Sequence, residues 1–244
     1  MHRFFVNPSQ ISAERAEIIG DDVAHISKVL RLRCGDKISL CDQNGFDYIC
    51  TIDEIEKQSV FAVIDEKFPS ISESNIGITL YQGFPKGDKT ELIVQKCTEL
   101  GVKRIVPVVM QRSVSRPKDA SKKTVRYQKI ALEAAKQSKR AAVPQVCDAI
   151  DFSDMLAEIE NSDALNILPY ENEKSVTLKS VLKQNADAEN INLIIGPEGG
   201  FADEEIAAAL KKNIKTVTLG PRILRCETAP IAAVAAIMYE LGDC

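Results

Sequence analysis

The chain has 244 residues, enough for one large domain or two small ones. Hydrophobic residues make up 45% of it and charged residues 27%, a balance typical of a globular protein. No apolar run reaches the roughly 18 residues of a membrane-spanning helix, and the N-terminal stretch lacks the apolar content of a secretory signal. We therefore expect a chain that is neither inserted into a membrane nor secreted.

Cysteine and histidine usage narrows the chemistry. The 7 cysteines are scattered and form no C-x-x-C pair, and the chain has only 2 histidines. An odd, scattered set argues against a disulfide framework and against a zinc site. We expect reduced thiols, a cytoplasmic location and no metal centre.

The formal net charge of -4 conceals two opposite blocks. Residues 86–140 hold 15 Lys and Arg residues against 5 Asp and Glu, whereas residues 145–190 hold 3 against 10. A basic block inside an acidic protein indicates a face that binds a polyanion. A pair of solvated, lysine-rich helices explains the count alone equally well.

The first 66 residues have mostly the pattern of β-structure. An Asn-Gly step within residues 42–45 predicts a hairpin turn, and residues 21–30 have the spacing of a short amphipathic helix. Residues 67–75 are polar and aperiodic, which predicts a linker. The predicted strands cover residues 37–41, 46–55 and 59–65.

From residue 76 onward, strand-like and helix-like segments alternate, which predicts a parallel sheet with helices on both faces. The predicted strands cover residues 76–81, 104–109, 164–168, 192–195 and 216–219. The predicted helices cover residues 88–100, 121–140, 152–160, 176–184, 203–212 and 229–241.

Three loops follow strands of this predicted sheet, where ligands bind in open α/β folds. Residues 196–200 read Gly-Pro-Glu-Gly-Gly, residues 219–229 precede the last helix, and residues 168–172 leave an earlier strand. Glycines allow a ligand to approach the backbone closely. Taken alone, the glycine loop is explained equally well as a tight turn, and residues 168–172 are weak evidence. The loops at residues 196–200 and 219–229 support each other because both lie at this edge of the sheet. We expect Thr228 to cap the last helix.

The basic block includes a loop over residues 111–118 and a helix over residues 121–140. A spread cationic surface of this kind suits contacts with phosphates. The apolar side of the helix is predicted to include Val125, Ala131, Leu132 and Ala135.

Together, the sequence motifs of this chain resemble those of the RsmE family, the small-subunit ribosomal RNA uridine-N3 methyltransferases of the SPOUT class. The resemblance covers essentially the whole chain. Ala202 stands where that family often carries a capping Ser or Thr, so we expect Asp203 to cap the helix instead. The motifs that carry the resemblance are Arg3-Phe4-Phe5, His25 through Arg31 to Gly35-Asp36, Lys86-Gly87-Asp88-Lys89, Lys96 through Glu99 to Val102, Arg112-Ser113-Val114, Glu133 through Ser138 and Arg140 to Pro144, Gly196 to Phe201, and Leu219 to Ala229.

The resemblance implies an α/β fold with two domains. Residues 1–70 would form a small PUA-like β-barrel that helps to hold RNA. Residues 71–244 would form a SPOUT-type domain with a parallel sheet, whose last segments thread a trefoil knot. The family also implies a homodimer and S-adenosyl-L-methionine bound in the knot.

The implied activity is transfer of a methyl group from S-adenosyl-L-methionine to N3 of a specific uridine in 16S ribosomal RNA, within the assembled 30S subunit. The N3 proton must leave, and the negative charge that then develops on the base is best stabilised by a cation or by N–H donors. Arg225 is the first candidate for that role. Glu198 or Glu227 is expected to orient the cofactor or assist the proton, and the choice between them stays open; for Glu227, a charge near a helix N-terminus is an equal explanation.

The resemblance also maps binding residues onto this chain. The residues expected to bind the cofactor are Leu168, Pro169, Tyr170, Glu171, Ile195, Gly196, Pro197, Glu198, Gly199, Gly200, Leu219, Gly220, Ile223, Leu224, Arg225 and Thr228. The residues expected to bind RNA are Arg3, Lys28, Arg31, Arg33, Lys86, Lys89, Arg112, Arg116, Arg126 and Arg140. His25 is expected to be a partly buried structural residue.

Two alternatives belong to other functional classes. A non-catalytic RNA-binding assembly factor would keep the fold and the basic block, but its glycine loops and Arg225 would be free to decay. An enzyme acting on a small molecule would need neither the basic block nor a separate N-terminal domain.

Overall fold

The computed structural model describes residues 1–113 and 120–243. It divides into two compact units, Met1–Glu73 with Ala135–Val143, and Ser74–Ala134 with Pro144–Cys244. The predicted domain boundary after residue 70 assigns Ala135–Val143 to the second domain, whereas the contacts of this stretch assign it to the first unit.

The first unit contains a five-stranded sheet in the order β1-β3-β4-β5-β2. β1 pairs with β3 in parallel, and the other neighbours are antiparallel. The strands are β1 His2–Phe5, β2 Arg15–Ile19, β3 Lys37–Cys41, β4 Phe46–Ile55 and β5 Ser59–Pro69. The three predicted strands are confirmed, and β1 and β2 were missed because neither shows a run of alternating apolar residues long enough to predict a strand.

The predicted linker begins too early. Lys67 and Pro69 belong to β5 and lie opposite Tyr48 and Phe46 of β4. The ammonium of Lys67 lies 4.3 Å from the centre of the Phe46 ring, a cation–π contact that supports this end of the hairpin. The polar composition of residues 67–69 therefore does not indicate a linker, because pairing with the neighbouring strand decides their conformation.

The predicted amphipathic helix is present, in two parts. A four-residue α-helix, α1 Asp21–Ala24, continues as a π-helical turn over His25–Val29 and buries Val23 and Ile26. His25 itself is exposed, contrary to expectation. Its ring lies edge-on to Phe4, with ring centres 6.3 Å apart.

The stretch Ala135–Val143 is held within the first unit by the carboxylate of Glu73. The guanidinium of Arg140 pairs with Glu73 at 2.6 Å, and the backbone N–H groups of Ala141 and Ala142 donate to the same carboxylate at 2.9 and 3.1 Å. Lys136 pairs with Asp22 at 3.5 Å. A buried ion pair of this kind fixes the local path of the chain because either partner alone would be an uncompensated charge.

The second unit contains a parallel sheet in the order β12-β10-β11-β6-β7-β8, with β9 also paired to β7. The strands are β6 Gly77–Gly83, β7 Arg104–Val109, β8 Gln145–Val146, β9 Ile150–Asp151, β10 Leu165–Pro169, β11 Asn190–Ile195 and β12 Lys215–Val217. The predicted parallel sheet is confirmed. β8 and β9 were missed because two residues are too few for a periodic signal.

All six predicted helices of this region are present with small changes at their ends. They are α2 Lys89–Glu99, α3 Ala120–Ser138, α4 Phe152–Glu160, α5 Leu178–Gln184, α6 Asp203–Lys211 and α7 Thr228–Leu241. The buried side of α3 includes Tyr127, Ala131 and Ala134, whereas Val125 is 59% exposed and does not belong to it. Across residues 1–113 and 120–243, no helix combines the length and the apolar character needed to cross a membrane.

Candidate functional site

The three loops singled out in the sequence meet at the carboxyl edge of the parallel sheet, because β10, β11 and β12 are neighbours. They enclose a cavity of about 490 Å³. Its lining residues are Lys89, Pro169, Glu171, Ile195, Gly196, Pro197, Glu198, Gly199, Gly200, Phe201, Ile223, Leu224, Arg225, Cys226 and Ala229. A concave site at this edge is where the fold places small ligands.

Most of the residues expected to bind the cofactor line this cavity or a smaller one of about 110 Å³ beside it, where Tyr170, Leu219 and Gly220 lie. Leu168 is fully buried in the core of the unit. Neither Leu168 nor Thr228 is among the lining residues of either cavity. The structure therefore brings fourteen of the sixteen residues to the walls of these two neighbouring cavities.

Close backbone packing shapes the glycine loop, residues 196–200. A Cβ atom on Gly83, at the end of β6, would lie 2.5 Å from the nitrogen of Pro197. Gly200 has a φ of +67°, and a Cβ there would lie 2.8 Å from a carboxylate oxygen of Glu171. Glycine is required at Gly83 by space and at Gly200 by its left-handed conformation.

Two acidic residues from different loops share one lysine in the cavity. The ammonium of Lys89, at the start of α2, lies 2.9 Å from a carboxylate oxygen of Glu198 and 3.4 Å from one of Glu227. The backbone N–H of Lys86 also donates to Glu198, at 3.1 Å. Sequence reasoning placed Lys89 among the RNA contacts and missed this role, because the pairing joins positions more than a hundred residues apart.

These contacts shift the pKa of both carboxyl groups. Burial acts to raise the pKa of Glu198, but the hydrogen bond from Lys89 and those from backbone N–H groups outweigh it, and the pKa is lowered. The pKa of Glu227 is also lowered, since its backbone N–H, the Cys226 thiol and the Lys89 charge together exceed the effect of burial. Both groups are therefore carboxylates at neutral pH.

Cys226 was not predicted as a site residue, although it lies within the loop before α7. It is buried, and its Sγ lies 3.2 Å from a carboxylate oxygen of Glu227. Burial, followed by the hydrogen bond to Glu227, raises the pKa of this thiol to about 12. The group is thus a neutral thiol that donates to Glu227, not a nucleophile.

Arg225 lies on the exposed rim of the cavity. Its backbone carbonyl accepts the N–H groups of Thr228 and Ala229, each at 2.9 Å. The helix α7 begins at Thr228 itself, and no side chain caps it. The expectation that Thr228 caps this helix is therefore wrong. Within residues 1–113 and 120–243, no carboxylate pairs with the Arg225 guanidinium, which leaves that charge available to a ligand.

A buried carboxylate attaches the turn that carries Arg112 to the start of α6. One oxygen of Glu205 accepts the N–H of Gln111 at 2.8 Å, and the other accepts the N–H of Ala202 at 2.9 Å. The Arg112 guanidinium donates to the carbonyl of Gly199 at 3.2 Å. Ala202 is the N-cap residue of α6, so the expectation that Asp203 caps the helix is wrong.

Glu205→Ala should lower the free energy of unfolding by about 1–3 kcal/mol, because the backbone N–H groups of Gln111 and Ala202 would lose the buried carboxylate that accepts them. Glu204→Ala is the matched control, since Glu204 lies in the same helical turn but is exposed. Its expected loss is below about 0.5 kcal/mol. Urea denaturation of both variants measures the difference, and equal losses would contradict the role assigned to Glu205.

The residues expected to bind RNA differ in how exposed they are and in whether their charges are paired. Lys28, Arg31 and Arg33 are exposed in the first unit. Arg140 is only 3% exposed and is paired with Glu73, so it is absent from the exposed basic surface. The side chain of Arg3 pairs with Asp47 at 2.6 Å and is 17% exposed.

In the second unit, Lys86, Arg112 and Arg126 are exposed. Arg126 pairs with Glu91 at 2.6 Å, yet its side chain remains 64% exposed. Arg116 lies outside the described residues. In the part of the chain that the structure describes, no cluster of three or more metal-ligating side chains occurs.

Two family models match the chain. An RNA methyltransferase domain covers residues 72–238, and an RNA methyltransferase PUA domain covers residues 18–65. The first spans more than half of the chain, and the second lies within the first unit.

Known proteins show the same similarity. Ribosomal RNA small subunit methyltransferase E of Bacillus subtilis is 36% identical, over 98% of this chain and 97% of its own length. A crystal structure of the protein of that name from Neisseria gonorrhoeae, bound to S-adenosyl methionine, is 33% identical over 100% of this chain and 99% of that one, with a TM-score of 0.87. A methyltransferase of Legionella pneumophila with bound S-adenosyl methionine is 26% identical, over 99% and 98%, with a TM-score of 0.78.

Proposed function

The chain belongs to the RNA methyltransferase family that includes ribosomal RNA small subunit methyltransferase E, and we propose that it transfers a methyl group from S-adenosyl-L-methionine to N3 of one uridine in 16S ribosomal RNA. The observation that carries this proposal is the cavity at the carboxyl edge of the sheet, built from the three loops that the resemblance assigns to the cofactor. The substrate class is supported by the relatives' names, and the choice of uridine N3 comes from the resemblance.

The residues present fit S-adenosyl-L-methionine. A cavity of about 490 Å³ has the size of a small-molecule site. The glycine loop brings backbone close to its interior, Ile223 and Leu224 supply apolar surface, and Glu171 and Glu198 supply negative charge. When bound, the cofactor supplies an electrophilic methyl group on a positively charged sulfur.

The protein's own contribution is positioning and charge. In-line displacement needs the acceptor atom held in line with the methyl group. Loss of the N3 proton leaves negative charge on the base, and the Arg225 guanidinium at the rim would stabilise that charge. No carboxylate of residues 1–113 and 120–243 competes for this guanidinium. Glu198 lines the cavity, and Glu227 pairs with Lys89 of its lining. Both are ionised, and either is able to accept a proton.

We infer that RNA contacts the exposed basic residues of each unit and not Arg3 or Arg140, whose guanidinium groups are engaged by Asp47 and Glu73. The homodimer, the assembled 30S subunit as substrate, the cytoplasmic location and the trefoil knot are proposed on the resemblance. The phosphates of ribosomal RNA, naked or within a ribosomal subunit, form the polyanion that the basic block is expected to bind.

Replacing Lys28, Arg31 and Arg33 together by Ala should weaken RNA binding and reduce the salt dependence of binding, because each phosphate contact releases counterions. We expect the slope of log affinity against log salt to fall by about 2–3. Filter binding across a salt series measures it. Asp36, adjacent in sequence and exposed, provides the control variant Asp36→Asn, and a slope equal to that of the control would contradict this assignment.

The test of the proposed function is transfer of labelled methyl from S-adenosyl-L-methionine to small ribosomal subunits taken from a strain that lacks the protein. Naked 16S ribosomal RNA serves as the second substrate. Label on the subunits establishes an enzyme acting on assembled particles, and label on naked RNA alone overturns the choice of the 30S subunit. Binding to the subunits without any label would favour the assembly factor.

A further inference from the structure

Lys89, which lines the cavity, stands out because it pairs with an acidic residue in each of two loops. Its ammonium reaches Glu198 of the glycine loop at 2.9 Å and Glu227 of the loop before α7 at 3.4 Å. It also lies 3.9 Å from the Sγ of Cys226. One side chain from the start of α2 therefore links two loops that follow different strands.

The environment of this cluster favours a fixed arrangement. The side chains of Glu198 and Glu227 are 28% and 15% exposed, and that of Lys89 is 35% exposed. Without the ammonium, the carboxylates of Glu198 and Glu227 would lose the cation that they share, and like charges at close range are unfavourable. Glu171 and Arg225 also line the cavity, but the contacts of Glu198 and Glu227 run to Lys89, Cys226 and backbone N–H groups.

We propose that Lys89 is a positioning residue of the cofactor cavity, which fastens the glycine loop to the loop before α7 by pairing with both Glu198 and Glu227. This inference rests on the proposed function, since it assumes that the cavity takes S-adenosyl-L-methionine. It reassigns Lys89 from RNA binding to the organisation of the cavity. Arg225 and Glu227 both lie in the loop before α7. The contact between Lys89 and Glu227 therefore also helps to fix the position of Arg225, the proposed catalytic cation.

The test compares Lys89→Met with Lys96→Met by calorimetric titration with S-adenosyl-L-methionine. Lys96 lies on the same helix, its side chain is 39% exposed, and it forms an ion pair with Glu99 of that helix. We expect Lys89→Met to weaken cofactor affinity by about tenfold or more, the effect of losing charge-assisted contacts. Lys89→Arg should recover most of the affinity, and Lys96→Met should bind as the unaltered protein does.

The pH dependence of cofactor affinity is the second readout. The pKa of Glu198 and of Glu227 is lowered in the folded protein, so the ionised cluster is lost only as pH falls through those lowered values. Removing the ammonium raises both pKa values. In Lys89→Met the loss of affinity on the acid side should therefore begin at a higher pH than in Lys96→Met.

The competing role for Lys89, a phosphate contact, gives the opposite pattern. Cofactor affinity and its pH dependence would match those of Lys96→Met, while RNA affinity and its salt slope would fall, and this result would overturn the proposal. Circular dichroism checks the fold. If Lys89→Met does not fold, the second variant is Lys89→Gln, which keeps an uncharged NH2 donor group but loses the charge; it should also lower the affinity for the cofactor. Cofactor binding by the unaltered protein without any methylation would defeat the proposed function but leave this test intact.

Discussion

Arg225→Ala should slow methyl transfer by about 10²–10³-fold, the usual effect of removing one group that stabilises developing negative charge. The Arg225 side chain is exposed at the rim of the cavity and has no partner carboxylate in residues 1–113 and 120–243. The free energy of unfolding should therefore change by less than about 0.5 kcal/mol. Single-turnover methylation of the small subunit measures the rate, and urea denaturation measures the stability.

Two further variants make this result specific. Arg225→Lys keeps the charge but not the planar fork of donors, and should recover part of the rate. Arg222→Ala removes an exposed arginine three positions earlier on the same loop, and should cost less than about tenfold. A rate for Arg225→Ala within a few-fold of that for Arg222→Ala would show that Arg225 has no electrostatic role.

Gly83→Ala should disrupt the cavity by displacing the glycine loop that lines it. The new Cβ would lie 2.5 Å from the nitrogen and 2.6 Å from the Cδ of Pro197, and 2.7 Å from the carbonyl carbon of Gly196. Backbone and ring atoms are unable to move aside as the tip of a side chain does, so the glycine loop must shift. We expect the free energy of unfolding to fall by about 1–3 kcal/mol, and cofactor affinity to fall by about tenfold or more.

The matched control is Gly77→Ala, at the other end of the same strand. There the nearest atom to the new Cβ is the side-chain oxygen of Asn190, at 2.6 Å, and a side-chain tip is able to rotate away. We expect a loss below about 1 kcal/mol and unchanged cofactor affinity. Thermal unfolding and calorimetric titration compare the two variants, and an equal effect on cofactor affinity would contradict the packing argument.

The sequence predicts the second unit well because its elements alternate with clear periodicity. The strand at residues 104–109 and the helix at residues 152–160 have the same bounds in the structure. Strong periodicity reports burial on one face, which is a local property. The short strands β8 and β9 carry no such signal, because they exist only through their pairing with β7.

The basic residues show that a sequence pattern does not predict which charges are paired in the folded protein. Arg140 has the composition and context of an RNA contact, yet Glu73, 67 positions away, takes up its charge. Lys89 is another such residue, since its two partners lie 109 and 138 positions along the chain from it. Charge counts report how many cations are present, but pairing in three dimensions decides which remain available.

The loops of the site are an intermediate case. Glycine content and position after a strand predicted that residues 196–200 and 219–229 contribute to a site, and both line the cavity. Their internal geometry was not predictable. The two capping assignments failed because Glu205 reaches back to Ala202 and because α7 begins one residue earlier than expected.

Nucleoside analysis of 16S ribosomal RNA tests the central claim most directly. The RNA is taken from cells that lack the protein, from the same cells supplied with it, and from cells supplied with Arg225→Ala. The account predicts N3-methyluridine at a single position in the second sample only, with S-adenosyl-L-methionine as the source of the methyl group. A methyl group on another base or another atom, or no difference between the first two samples, would contradict it.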